Sequence, residues 1–213
     1  MNLMSALTGE DRTSIASICS RIIGWSDQRQ YGFFKALLEA KPEAKSLLMV
    51  GVYYGRDIAF IQDILARYHP GRVLGIVGVD RFSTAPCADW PHWATSWEHL
   101  TNGMPAPDFD KAYQNVAAGR DCIALFKDDD ETFLARAVGL YDVIYLDASH
   151  DEASVARQLG QVRKLCNGPQ AIICGDDFSN LNGWGVKTAV EKAFTKFELF
   201  EDWVWYGKAE DLK

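Results

Sequence analysis

The sequence predicts an α/β fold: a doubly wound, mostly parallel seven-stranded sheet with helices on both faces, N-terminal helices in front of it and a lid-like insertion. Three observations carry this. Short apolar runs alternate with segments of helical periodicity, the order that builds βαβ units. Several of the runs end at an aspartate (Asp80, Asp147, Asp176), and open α/β sheets bind ligands beyond such carboxyl ends. The clearest run is YDVIYLDASH at 141–150. Its Val143, Ile144, Tyr145 and Leu146 form an unbroken apolar stretch, suited to a strand buried on both faces.

Taken in order, residues 9–24 read as a helix capped by Thr8, with Ile15, Ile18, Ile22 and Ile23 at helical spacing. A second helix covers 28–40 and stops before Pro42. These two helices either cover the crevice or form a dimer surface, so a homodimer is one expectation. The first strand is 46–50, the turn GVYYG occupies 51–55, and a helix over 57–68 leads to a strand at 73–79 that finishes at Asp80. Right-handed crossover places both strands in one parallel sheet. Residues 81–110 break the pattern with four prolines and with Trp90, Trp93 and Trp97. A loop this long is usually functional, and it reads as an insertion over the sheet edge with a short helix at 93–100. Its alternative role is a packing cluster that touches no substrate. Helix 110–118, strand 122–126, helix 128–138, strand 143–146, helix 151–165, strand 171–174 and helix 185–197 follow, and a hairpin around Glu201 and Asp202 closes the chain.

The length of 213 residues fits one such domain at 46–213 with a helical addition at 1–45. The net charge of −7 argues against general nucleic-acid affinity. No apolar stretch reaches membrane-spanning length and no signal sequence is evident, so the expected partner is not a membrane and the expected location is cytoplasmic. Cys19, Cys87, Cys122, Cys166 and Cys174 form no Cys-x-x-Cys pair, which points to reduced thiols rather than a zinc site or a disulfide framework.

If the strands ending at Asp147 and at Asp176-Asp177 are neighbours, three carboxylates converge on one crevice. They would repel one another unless a cation is present, and oxygen ligands favour Mg²⁺, Mn²⁺ or Ca²⁺. The alternative is that these aspartates cap the helices that follow. His150, three residues beyond Asp147, is placed to take a proton from a bound hydroxyl, or else to bond a neighbour at a helix start. His69, His92 and His99 have no comparable partner in the pattern. Gly51 and Gly55 allow backbone to approach a ligand ahead of a helix N-terminus, in a Gly-x-x-x-Gly spacing unlike the dinucleotide fingerprint. Asp80 stands where an acid bonds ribose hydroxyls. Asp128 stands where it could approach an adenine, or simply begins a solvated helix.

GVYYG, VGVD, DVIYLDASHD and AIICGDDFSN followed by GVKTAVEKAF resemble the Rossmann-like class I S-adenosylmethionine-dependent O-methyltransferases. The nearest subgroup in likeness is the metal-dependent macrocin and sugar O-methyltransferase type. The resemblance covers about residues 46–200. It implies methyl transfer to a hydroxyl of a small molecule, a sugar or another vicinal diol. It also implies Asp147, Asp176 and Asp177 around a divalent cation, magnesium by preference, with His150 as the base. The S-adenosylmethionine would lie over Gly51, Tyr53 and Gly55 with its ribose on Asp80, and with Asp128 and Asp147 among its contacts. One departure is Met49, where the family has an acid two residues before the first glycine. It keeps open a non-catalytic binding or assembly protein on the same fold. A nicotinamide oxidoreductase would share the strand-helix order but lacks its glycine pattern here.

Overall fold

A computed structural model describes residues 3–4, 6–86, 90, 94–117 and 122–213. Two helices open the chain, α1 (Gly9–Arg21) and α2 (Gln28–Ala40), each begun by a reciprocal capping box, Thr8 with Asp11 and Asp27 with Gln30. Then come β1 (Ser46–Val50), α3 (Arg56–Tyr68), β2 (Gly75–Asp80), the short α4 (Trp97–Thr101) and α5 (Phe109–Ala117). The second half runs β3 (Ile123–Lys127), α6 (Asp130–Arg136), β4 (Val143–Leu146), α7 (Glu152–Val162), β5 (Ile172–Gly175), α8 (Val186–Ala193), β6 (Glu198–Phe200) and β7 (Val204–Lys208).

The seven strands lie in the order β3-β2-β1-β4-β5-β7-β6. β1 to β5 pair in parallel, and β7 pairs antiparallel with both β5 and β6. Strand order reverses between β1 and β4, which opens a crevice at their carboxyl ends. Alternate residues of each strand face opposite sides, and both sides are filled. Leu47, Met49, Val143 and Tyr145 pack beneath α1, α2 and α3, with Ile18, Phe34, Leu37 and Ile61 among the contacts. Leu48, Val50, Ile144 and Leu146 pack on the other side with Leu134 of α6, Leu159 of α7 and Val190 of α8. Among the described residues no helix is long and apolar enough to cross a membrane.

Several expected boundaries move, each for a local reason. The first helix stops at Arg21 instead of residue 24: Ile22 is extended, and its carbonyl accepts from Arg56 Nε at 2.7 Å. The second strand begins at Gly75, leaving Val73 60 % exposed outside the sheet. Helix α7 passes into a 3₁₀ turn at Arg163–Leu165. Helix α8 ends at Ala193 because Phe194 turns inward and bridges Leu212. The hairpin forms as expected, with Glu201 and Asp202 both at positive φ in the turn. Within the insertion, the helix covers Trp97–Thr101; the expected Cys87, His92, Trp93 and Ala118 features lie outside the described residues. The other four cysteines are free thiols.

Candidate functional site

A cavity of about 690 Å³ opens over the carboxyl ends of β1, β2, β4 and β5, a size that suits a small molecule. Its floor begins at the turn after β1. Gly51 has φ +94°, and a Cβ there would stand 1.9 Å from the Asp147 carbonyl oxygen. Only glycine lets β1 and β4 leave the sheet so close together. Tyr53, also at positive φ, and Val52 donate their N–H groups to Asp80 Oδ2 at 2.8 and 2.9 Å. Asp80 Oδ1 accepts from Phe82 N at 2.7 Å. The carboxylate at the end of β2 therefore shapes the glycine turn, and both line the cavity. Gly55 follows in the left-handed region and begins α3.

Asp147, His150, Asp176 and Asp177 meet beside this turn, because β4 and β5 are paired in parallel, Leu146 beside Gly175. One ligand-type atom from each of Asp147, His150 and Asp177 lies within 4.8 Å of the others. His150 Nε2 is 2.7 Å from Asp177 Oδ2, and the ring stacks on Trp184 with centroids 4.9 Å apart. Asp177 itself holds φ +57°, a strained setting for a residue other than glycine and one typical of functional turns. Asp176 is set slightly apart. Its Oδ2 accepts from Gln30 Nε2 at 2.6 Å, and its Oδ1 is buried without a partner among the described residues.

The electrostatics are those of crowded acids. Burial, and then the Asp176 and Asp177 charges, hold the Asp147 carboxyl well above the usual carboxylate range. Burial and Asp177 push Asp176 up to about 7, against the hydrogen bond from Gln30. A divalent cation removes this repulsion, and carboxylate oxygens with an imidazole beside them are chemically suited to one. The orphaned Asp176 oxygen and the strained carboxyl cluster fit such an ion.

The insertion roofs the cavity. Tyr53 and Tyr54 donate their hydroxyls to the Pro105 and Ala106 carbonyls at 2.6 and 2.8 Å, and Trp97 Nε1 donates to Met104 O at 2.9 Å. Trp25 lies against Tyr53, with centroids 4.7 Å apart, and reaches Trp97 edge-on. Trp203, with Arg29 over its ring, and Trp184 form the aromatic wall on the His150 side.

One expected residue is not brought here. Asp128 pairs with Arg136 and caps its neighbour Asp129, while Asp130 is the residue of this acidic run that lines the cavity. The turn into α6 carries the Asp128 side chain away. Conversely, sequence reasoning overlooked Gln30, Asp57, Trp25, Trp184 and Trp203 at the cavity. Gln30 had a signal, since it stands three residues after a capping Asp27; the others had none before the fold was known.

No family model matches the sequence, and no curated protein matches it. Solved structures do. The O-methyltransferase NovP superposes with a TM-score of 0.65 at 16% identity, covering 84% of this chain and 79% of its own. The calicheamicin methyltransferase CalS11 superposes at 0.64 with 14% identity, covering 98% and 96%. An O-methyltransferase from Bacillus cereus in complex with SAH superposes at 0.52 with 15% identity, covering 92% and 87%. By these superpositions the chain has the fold of the O-methyltransferases.

Proposed function

We propose that this protein transfers a methyl group from S-adenosylmethionine to a hydroxyl of a small molecule in a divalent-metal-dependent reaction, with a sugar or other vicinal diol as acceptor. The observation that carries the reading is the crowding of Asp147, His150 and Asp177 beside the glycine turn of one cavity. When bound, a cation held by Asp147, Asp176 and Asp177, with His150 beside it as the base, would supply Lewis-acid polarisation of the acceptor hydroxyl, and S-adenosylmethionine would supply the methyl group.

The chain's own residues then have defined tasks. Gly51, Tyr53 and Gly55 let the backbone lie against the cofactor, and Asp80, already fixing that turn, faces its ribose. His150 donates Nε2–H to Asp177 and takes the acceptor's proton at Nδ1, the Asp177 carboxylate stabilising the imidazolium that results. Trp184 stops the ring from rotating out of line. Trp25, Tyr53 and Trp97 exclude water and, with Trp184 and Trp203, offer flat apolar surfaces to a ring-shaped acceptor. That CalS11 is described as a TDP-rhamnose 3'-O-methyltransferase supports a sugar acceptor.

The test has two arms. Calorimetric titration of S-adenosylmethionine, with Mg²⁺ and again with chelator, measures cofactor binding and its coupling to the ion. Turnover on hydroxyl acceptors is then compared between the wild type and Asp147→Ala, which is expected to abolish metal-dependent methylation. Unchanged activity in that variant rules the mechanism out.

A further inference from the structure

One buried carboxylate of the cavity has no role in the reaction above. Asp57, in the first turn of α3, lines the cavity and is only 8 % exposed. Its Oδ1 has no hydrogen-bond partner among the described residues. A buried carboxylate oxygen left unpaired is costly, so its persistence needs a reason. The adjacent cation does not supply one: Arg56 directs its three donor nitrogens to the carbonyls of Ile22, Ser26 and Cys19. The other charges felt at the site are acidic, since Asp27 opposes Asp57 and Asp57 in turn raises Asp147 and Asp176. Burial pushes the carboxyl up to about 6, with the Ser26 hydroxyl and Arg56 holding it down. Among the described residues, Arg56 is the cation felt at this carboxyl, and its donors are already committed to backbone carbonyls.

Met49 is the complementary observation. It is fully buried among Ile58 and Tyr145, on the face of β1 that α3 covers. Met49 therefore presents no charge to the cavity, and α3 contributes Asp57 to its lining.

We propose that Asp57 is the counter-ion for the primary ammonium of a bound amino-acid tail, which places the amino-acid end of an adenosyl ligand against the first turn of α3. The inference rests on the S-adenosylmethionine reading given above. An ammonium fits Asp57 better than a metal ion does. Asp57 stands outside the group whose ligand atoms converge within 4.8 Å. One carboxylate oxygen and a neighbouring hydroxyl suit three N–H donors but fall short of a divalent cation's oxygen shell.

The test is calorimetric binding of three ligands with uncharged sulfur: S-adenosylhomocysteine, its analogue lacking the α-amino group, and 5′-methylthioadenosine, which lacks the whole tail. The wild type is expected to bind S-adenosylhomocysteine about ten- to a hundredfold more tightly than the deaminated analogue. Asp57→Asn is expected to lose that preference while binding 5′-methylthioadenosine as the wild type does. Equal wild-type affinity for S-adenosylhomocysteine and the deaminated analogue overturns the proposal, as does a preference that survives in Asp57→Asn. If the variant binds none of the three, the wild-type comparison alone decides. If the wild type itself binds none of them, the adenosyl reading fails and takes this inference with it.

Discussion

His150 is held by both its ring and its backbone. Its Nε2 meets Asp177, its face lies on Trp184, and its backbone carbonyl accepts from Gly185 N at 2.7 Å. A side chain fixed this way suits proton transfer, for which orientation counts as much as basicity. Replacing it by glutamine should lower kcat by about a hundred- to ten-thousandfold while leaving S-adenosylmethionine affinity within about twofold of the wild-type value. Single-turnover kinetics alongside calorimetry would separate the two, and a loss confined to affinity would remove His150 from the chemistry. At this scale the sequence was informative where a residue ends a strand. Asp80, Asp147, Asp176 and Asp177 were legible because an apolar run stopping at an acid marks both the strand and its carboxyl edge. Asp57 was not, since an acid in the first turn of a helix is ordinarily a solvated partner of the helix dipole. Asp128 misled for the same reason: in a run of three aspartates, the helix start decides which one turns inward.

Among the elements, α1, α2 and α3 are joined by a buried polar knot. Asp11 is fully buried and accepts from Tyr68 at 2.6 Å, Thr8 N at 2.8 Å, Arg67 at 2.9 Å and Lys35 at 3.0 Å. Burial alone would raise its pKa, but the hydrogen bonds from Tyr68, Thr8 and Lys35 outweigh it and hold the carboxyl far below the usual range. Breaking such a network from one side strands Lys35 in the interior, so Asp11→Ala should destabilise the protein by about 3–5 kcal/mol. Urea denaturation at neutral pH measures this, and a change under about 1 kcal/mol would show that the knot is dispensable. Because the folded-state pKa is depressed, the contribution is present above the unfolded value and fades as pH falls below it. The helices themselves were legible from periodicity and caps. Their docking was not: nothing local in Asp11, Lys35 or Arg67 distinguishes an interior ion network from three surface charges, and only the three-helix packing buries them.

At the scale of the whole molecule, buried acids gather around the cavity at the carboxyl end of the sheet. Asp57, Asp147 and Asp176 all have raised pKa values, so between the unfolded carboxylate value and about 7 the folded chain binds more protons than the unfolded one. The metal-free protein should lose stability as pH rises through that window. A divalent cation binds the deprotonated acids, so the gain in Tm on adding Mg²⁺ should grow from pH 5 to pH 8 and vanish with chelator. A gain independent of pH, or absent in Asp147→Ala and wild type alike, would argue against the cation. The parallel pairing of the first two strands followed from right-handed crossover, whereas the adjacency of β4 and β5 stood only as a condition in the sequence and is supplied by the fold.

Gln30 gives the N-terminal helices a further significance. Its amide closes the cap of α2 by accepting from Asp27 N, and through its other end it donates to Asp176. The first turn of α2 and the acidic cluster thus share a single side chain. A change in charge at Asp176 alters how firmly that amide is held, and through it the fraying of a helix more than a hundred residues away in sequence. By thermodynamic reciprocity the converse holds: whatever loosens the start of α2 changes the proton affinity of Asp176. The cap of α2 and the acidic cluster are therefore coupled through one amide.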